Sequence, residues 1–151
     1  MKNLLLAALI AVLGVSCAKR VQISPEKSNV NKGGIEASAN WLKDKGKKFD
    51  IQFAITNNSE KDAIIHLHDI SCAKGALQGQ IKHTFFNTGE RKIDLHRGEK
   101  KMFNFVCNYG SKTEGDYKVS IKRVYDNPTG DGVNTGKGMA ENINWVQAAD
   151  E

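Results

Sequence analysis

The chain has 151 residues, of which 40% are hydrophobic and 26% are charged, a composition typical of one globular domain and not of a disordered or collagen-like chain. Its formal net charge of +5 is mildly basic and suits anionic surfaces such as lipid headgroups or acidic glycans. The lysines are scattered over predicted turns and strand faces. Because no basic helix or arm concentrates them, the sequence does not predict a nucleic-acid-binding protein.

The first residues of the chain predict a secretory leader. Lys2 gives a positive start, and the run LLLAALIAVLGV from Leu4 to Val15 carries no charge. This run is shorter than the about 20 apolar residues that a transmembrane helix needs. We therefore expect a signal peptide.

The residues LGVSC, which end at Cys17, resemble the lipobox of bacterial lipoprotein precursors, with Gly14 in a place where that motif usually has Leu. The resemblance implies a leader over residues 1–16 and a covalent lipid on Cys17, which becomes the new N-terminus. It also implies attachment to the outer-membrane bilayer, since Ala18 and not Asp follows the cysteine. An ordinary signal peptide cut at the same place, leaving a soluble periplasmic or secreted protein, stays open as an alternative.

Two further parts follow the leader. Residues 17–33 are polar, lack periodicity and contain Pro25, so we expect the lipidated N-terminus to continue as a flexible tether. Residues 34–151 are long enough for a single domain with its own core. Within this domain, apolar residues recur at every second position in short segments between turn residues, and this period indicates β-strands.

Seven segments are predicted as strands, separated by turns and by a less regular stretch over residues 71–86. They are IEASANWL, KFDIQFAIT, AIIHLHDI, KIDL, KMFNFVCN, YKVSIKRVY and MAENINWVQ. Trp41 and Trp145 are in phase with the apolar faces of the first and last segments, and we expect both in the core. Seven or eight strands at this spacing predict an all-β fold, specifically a two-sheet antiparallel β-sandwich. Their rhythm is similar to that of immunoglobulin-like modules of bacterial envelope proteins, which implies the immunoglobulin-like class.

The chain contains three cysteines, an odd number for an exported protein. Lipidation of Cys17 would leave Cys72 and Cys107, which can form a disulfide in the oxidising periplasm. Cys107 alternates in phase with Phe103 and Phe105, so its sulfur is expected to point into the core. The alternative is a pair of buried thiols that act as small hydrophobic residues.

Two candidate ligand sites follow from the residue types. His66 and His68 stand two apart in a strand-like segment, so both rings would share one face and could bind zinc or copper with a third ligand from His83 or His96. The alternative is a pair of polar residues on a solvated face. In the loop after residue 126, Asn127, Thr129 and Asp131 have the spacing that begins a calcium-binding EF-hand loop. Its twelfth position is Gly138 instead of the required Glu, so the alternative is a hairpin loop of turn residues.

The sequence contains no nucleophile elbow, zinc-protease motif or paired carboxylates in an apolar frame, and we expect neither an enzyme nor a cofactor. The leading interpretation is an envelope lipoprotein that presents a small β-sandwich, as a binding or structural module, to a protein or glycan partner. The alternative is a soluble periplasmic metal- or glycan-binding protein. It is favoured by the histidine pair and by Tyr109, Tyr117 and Tyr125, which could contact a sugar.

Overall fold

The computed structural model describes residues 18–23, 29–83, 92–128 and 137–149. Eleven strands lie in this part of the chain, and every pairing between them is antiparallel, which confirms the prediction of an all-β fold. The strands are β1 Lys19–Val21, β2 Val30–Lys32, β3 Ile35–Asp44, β4 Lys48–Asn57, β5 Ala63–His66, β6 Ile70–Lys74, β7 Leu77–His83, β8 Lys92–Leu95, β9 Lys100–Asn108, β10 Tyr117–Asp126 and β11 Gly138–Gln147. Among the same residues, no helix has the length and apolar character needed to cross a membrane.

The strands are hydrogen-bonded in the order β1-β3-β4-β9-β7-β6-β10-β5-β8, with β2 also on β3 and β11 also on β10. Strand β7 changes its partner along its length. Residues 77–79 pair with β6, and residues 80–83 pair with β9. Strands that switch partners in this way form the corners of folded sheets.

A disulfide joins Cys72 of β6 to Cys107 of β9, the strands on either side of β7, and the predicted bond is confirmed. It passes over Gly79, where an added Cβ would clash with Cys107 Sγ and would lie 2.9 Å from Cys72 Sγ. A glycine is therefore required at the point where β7 leaves one partner for the other.

The core follows from the period-two pattern. Phe49, Phe53 and Trp145 are among its largest fully buried side chains. Phe53 of β4 meets Trp145 of β11 in an edge-on contact with ring centroids 5.9 Å apart, although these two strands are not paired. Side chains from strands that are distant in the hydrogen-bonding order therefore share one core, and Trp145 is a core residue as predicted.

The predicted position of Trp41 is wrong. The pairing of β3 with β4 shifts register between Ala39 and Trp41, and this irregularity reverses the alternation of the residues that follow. As a result, Leu42 is fully buried while Trp41 is only half-buried.

Part of the predicted tether is paired and not flexible. Both β1 and β2, within residues 17–33, form antiparallel pairs with β3. Val21 is buried opposite Leu42, and Ile23 and Val30 pack against the core. Strand β3 pairs with β4 along one side, and its other side is free to bind β1 and β2. A few apolar residues in this polar segment are enough to form these short strands.

The predicted strand AIIHLHDI is interrupted. It contains β5, a short 3-10 turn at Leu67–Asp69, and the start of β6. The less regular stretch that follows contains the hairpin of β6 and β7, whose turn places Gly75 at a φ of 53°. Ala63, Ile64 and Ile65 are all buried, in agreement with a strand covered on both sides.

Strands β3 and β4 define two ends of the fold. Their connecting turn, residues 45–47, lies at the same end as Lys19, because Lys19 is opposite Asp44 in the pairing of β1 with β3. Asn57 ends β4 about 30 Å away, since each of its ten residues rises about 3.3 Å. We call the first the N-terminal end, and we call the second, with the loops at 58–62 and 96–99, the cleft end.

A charged network closes the N-terminal end. Asp44 accepts hydrogen bonds from Lys74 Nζ at 2.6 Å, Tyr117 Oη at 2.7 Å, the Gly46 amide at 2.7 Å and Tyr109 Oη at 3.3 Å. Burial opposes ionisation of Asp44, but its hydrogen bonds outweigh burial and lower its pKa below the usual value. Burial and the neighbouring Asp44 charge raise the pKa of Tyr109. This network ties β3 to β6, to β10 and to the residue that follows β9.

Candidate functional site

A polar cleft of about 590 Å³ lies at the cleft end, where three connecting segments meet. These segments are the loop between β4 and β5, the turn between β8 and β9, and the residues that end β10. The cleft is lined by Glu60, Lys61, Asp62, His96, Arg97, Asp126, Asn127 and Pro128. Its size and concave shape are in the range of small-ligand sites.

Asn57, which is fully buried, holds two of the three segments together. Its amide nitrogen Nδ2 donates to the carbonyls of Lys61 at 2.7 Å and Leu95 at 3.1 Å. Its oxygen Oδ1 accepts from the amide of Ser59 at 3.1 Å and from the hydroxyl of the same residue at 2.6 Å. The Asn57 backbone also bonds with the turn before β9, donating to the Glu99 carbonyl at 2.9 Å. One side chain therefore sets the relative positions of both loops.

Asp62 connects the same loops to the third segment. Its carboxylate accepts the Arg97 amide at 2.9 Å and lies 3.2 Å from His96 Nδ1, and its carbonyl accepts the Asn127 amide at 2.8 Å. The hydrogen bond from the Arg97 amide, followed by that of His96, lowers the pKa of Asp62. This carboxylate is therefore ionised at neutral pH.

The other charges of the cleft form ion pairs whose cations are exposed. Lys61 Nζ lies 3.4 Å from Asp126 Oδ2, and Arg97 Nη1 lies 3.6 Å from Glu60 Oε2. The side chains of Lys61 and Arg97 are 67% and 66% exposed, so both cations are hydrated and exchangeable, whereas the Asp126 side chain is only 14% exposed. The cleft thus offers both positively and negatively charged hydrogen-bonding groups to a polar ligand.

The predicted metal pair lies outside this cleft. The rings of His66 and His68 are stacked with centroids 5.3 Å apart, and the His66 ring contacts Tyr125 edge-on at 5.5 Å. His96 lies at the opposite end of the β5 and β8 pairing, so it is not the third ligand of that pair. The side chain of His83 is outside the described residues, and within them no cluster of three His, Cys, Asp or Glu side chains could hold a metal.

The remaining predicted residues are only partly described. Asn127 is buried and lines the cleft, whereas Thr129, Asp131 and Cys17 lie outside the described residues. Of the tyrosines that could contact a sugar, Tyr109 and Tyr117 are buried with their hydroxyls on Asp44, and Tyr125 is half-buried against His66.

The segments NNSEKD, residues 57–62, and HRGEK, residues 96–100, are turns between predicted strands, and the sequence alone does not connect them. One indication was present in the sequence, because an Asn two residues before a Ser, as in Asn57 and Ser59, is typical of a turn closed by a hydrogen bond to the Asn side chain. Charged residues of opposite sign in both turns are a second indication. The two turns come together only because β5 pairs with β8, and the strand pattern alone does not specify this pairing.

Comparison with protein-family models, curated proteins and solved structures finds no significant match to this chain.

Proposed function

We propose that the protein is a lipid-anchored envelope protein that presents the cleft to another envelope component, a protein or a glycan. In this proposal the domain is a two-sheet, immunoglobulin-like β-sandwich. The change of partner along β7 supports a sheet folded into two layers, and so does the contact between Phe53 and Trp145 from unpaired strands.

The observation that carries the proposal is the placement of the chain's start relative to the cleft. Strand β1 begins at Lys19, two residues after Cys17, and it lies at the N-terminal end. The cleft lies about 30 Å away along β4. A lipid on Cys17 would therefore hold the domain at one end and direct the cleft away from the bilayer.

The pairing of β1 with β3 also changes what the anchor would do. A tether over residues 17–33 would let the domain turn freely above the membrane. With β1 in the sheet, only Ala18 separates Cys17 from the first paired residue. The proposed lipid then restricts orientation as well as position.

Membrane fractionation tests this proposal. We expect the wild-type chain to stay in the membrane fraction after a high-salt wash and its mass to include a lipid on Cys17. The Cys17→Ala chain should be released. A matched control is the Cys72→Ala/Cys107→Ala chain, which loses two cysteines but keeps Cys17 and should stay with the membrane. A wild-type chain that is released by salt, or that carries an unmodified Cys17, would contradict the anchor.

The stacked histidines support a second candidate function, a soluble periplasmic metal-binding protein. His66 and His68 place two imidazoles side by side, and the His68 side chain is 76% exposed. Calorimetric titration with zinc and copper should then give micromolar binding that His68→Ala removes and His96→Ala keeps. Absence of heat with either metal would reject this function.

A further inference from the structure

We propose that the N-terminal end is a docking surface for anionic lipid headgroups, which fixes the domain against the membrane; this rests on the proposed anchoring through Cys17. Six cationic side chains of this end are exposed. They are Lys19, Arg20, Lys43, Lys47, Lys48 and Lys112. Arg20 lies directly opposite Lys43 in the pairing of β1 with β3, and Lys112 reaches over Gly46 in the turn 45–47.

The carboxylates nearest to these cations are already neutralised. Asp44 pairs with the buried Lys74, and Asp50 pairs with Lys45. None of the six exposed cations forms an ion pair with a carboxylate among residues 18–23, 29–83, 92–128 and 137–149. Two exposed carboxylates, Glu114 and Asp116, lie in the loop before β10, which also carries Lys112, and they are outnumbered by the six cations. The surface next to β1 therefore has an excess of positive charge.

An aromatic residue lies on the same surface. The register shift in β3 turns Trp41 outward, where it stands on the same face of the sheet as Lys43 and Arg20. Two adjoining grooves, of about 350 and 410 Å³, are each lined by Trp41 and Arg20, and the second also includes Ala18. A half-buried Trp beside cations is the arrangement that favours the headgroup region of a bilayer.

The chain reaches this surface directly from Cys17. Ala18 lines one groove and Lys19 begins β1, so the proposed lipid would enter the bilayer beside the basic residues. Each cation near an anionic membrane surface adds to the attraction, and the attraction decays within about 10 Å at 0.1 M salt. At the cleft end, Lys61 and Arg97 are paired with carboxylates, and the exposed lysines that form no ion pair among the described residues are fewer: Lys32, Lys100 and Lys137, against six exposed cations at the N-terminal end. The charge distribution thus orients the same end toward the membrane as the anchor does.

The test uses the processed chain from residue 17 with Cys17→Ser, which carries no lipid. The described strands lie within residues 19–147 and the residues of the described core within 21–149, so this chain contains all of them. Binding is measured by cosedimentation with vesicles of phosphatidylcholine and phosphatidylglycerol, and with vesicles of phosphatidylcholine alone. Two triple variants are compared: Lys19→Glu/Lys43→Glu/Lys47→Glu at the N-terminal end, and Lys32→Glu/Lys100→Glu/Lys137→Glu, whose exposed lysines lie toward the cleft end. Circular dichroism and the intact disulfide verify folding of each.

We expect the parent chain to bind only the anionic vesicles and to be released at about 1 M salt. The first triple variant should bind about tenfold more weakly or worse, whereas the second should stay within about threefold of the parent. Equal losses in both variants would show that net charge alone acts, and equal binding to neutral vesicles, or none to anionic ones, would also overturn the proposal. Because this chain has no lipid, such a failure leaves the fractionation test of Cys17 unaffected.

Discussion

The two ends of the molecule hold charged residues in different ways. At the N-terminal end, Asp44 and Lys74 are only 12% and 8% exposed and are enclosed by tyrosines, so they act as part of the core. At the cleft end, one buried amide, that of Asn57, supports ion pairs whose cations, Lys61 and Arg97, stay in water, although Asp126 is only 14% exposed. The comparison indicates that the N-terminal end is built for rigidity, while the cleft end combines a rigid base with a rim that can rearrange around a ligand.

The largest effect should come from the disulfide, which lies nearer to the N-terminal end, since Cys107 is opposite Phe49. Removing it in the Cys72→Ala/Cys107→Ala chain should lower the free energy of unfolding by about 4 kcal/mol, because the unfolded chain loses a closed loop of 35 residues. Urea unfolding measures this loss. Reduction of the disulfide in the wild-type chain should lower the free energy of unfolding by a similar amount.

Gly79 provides the control for the disulfide. Gly79→Ala should be strongly destabilising in the oxidised chain, since its Cβ would press on both sulfurs. In the Cys72→Ala/Cys107→Ala background the same change should cost much less. Equal costs in the two backgrounds would mean that the disulfide does not cross β7 at this residue.

Asp44→Asn should have the next largest effect, a loss of about 3 kcal/mol in the free energy of unfolding. It leaves the Lys74 ammonium buried without its counter-charge. Chemical denaturation at pH 7 measures the loss. The distinction between the two ends would fail if Asp126→Asn, which removes the partner of the exposed Lys61, were equally harmful.

Acid should weaken the N-terminal end through the same carboxylate. The pKa of Asp44 is lower in the folded chain than its ordinary value of 3.8, so its contribution to stability is present above that pH. The contribution is lost as the pH falls through the folded-state pKa. Urea midpoints between about pH 2 and 6 should fall less steeply for Asp44→Asn than for the wild type.

Asn57→Ala should cost about 2 kcal/mol, because it leaves the carbonyls of Lys61 and Leu95 without their donor. Hydrogen exchange should become faster in residues 58–62 and 96–99 and should be unchanged in β1 and the turn 45–47. Uniformly faster exchange across both ends would show that Asn57 is a general core residue and not the organiser of the cleft.

The smallest loss in the free energy of unfolding is expected for Lys61→Ala, below about 1 kcal/mol, since the Lys61 side chain is 67% exposed and lies 3.4 Å from Asp126. Thermal unfolding in low and high salt would measure it. A large loss would mean that the cleft rim is as rigid as the network around Asp44.

The period-two pattern was sufficient to predict the long strands β3, β4, β9, β10 and β11, because each buries one face. It could not predict the outward turn of Trp41, since Trp41 and Leu42 are adjacent apolar residues and the pattern does not specify which of them faces the core. Strand β1 escaped prediction because its one apolar residue, Val21, pairs with Leu42, far along the chain. Strand β2 pairs with β3 across the short turn at Gly33 and Gly34, but with one apolar residue in three it shows no alternating pattern. The cleft was missed because Asn57 and Leu95, and likewise Asp62 and Arg97, meet only through pairing over a long sequence distance.

The central claim, that the N-terminal end faces the membrane and the cleft end faces away, is tested most directly by quenching of site-specific fluorophores. Lipidated protein is reconstituted in vesicles with a headgroup-attached quencher, with the probe at Lys47→Cys or at Lys100→Cys, which lie toward opposite ends of β4. The account predicts strong quenching at position 47 and weak quenching at position 100. Equal quenching at both positions, or stronger quenching at position 100, would contradict it.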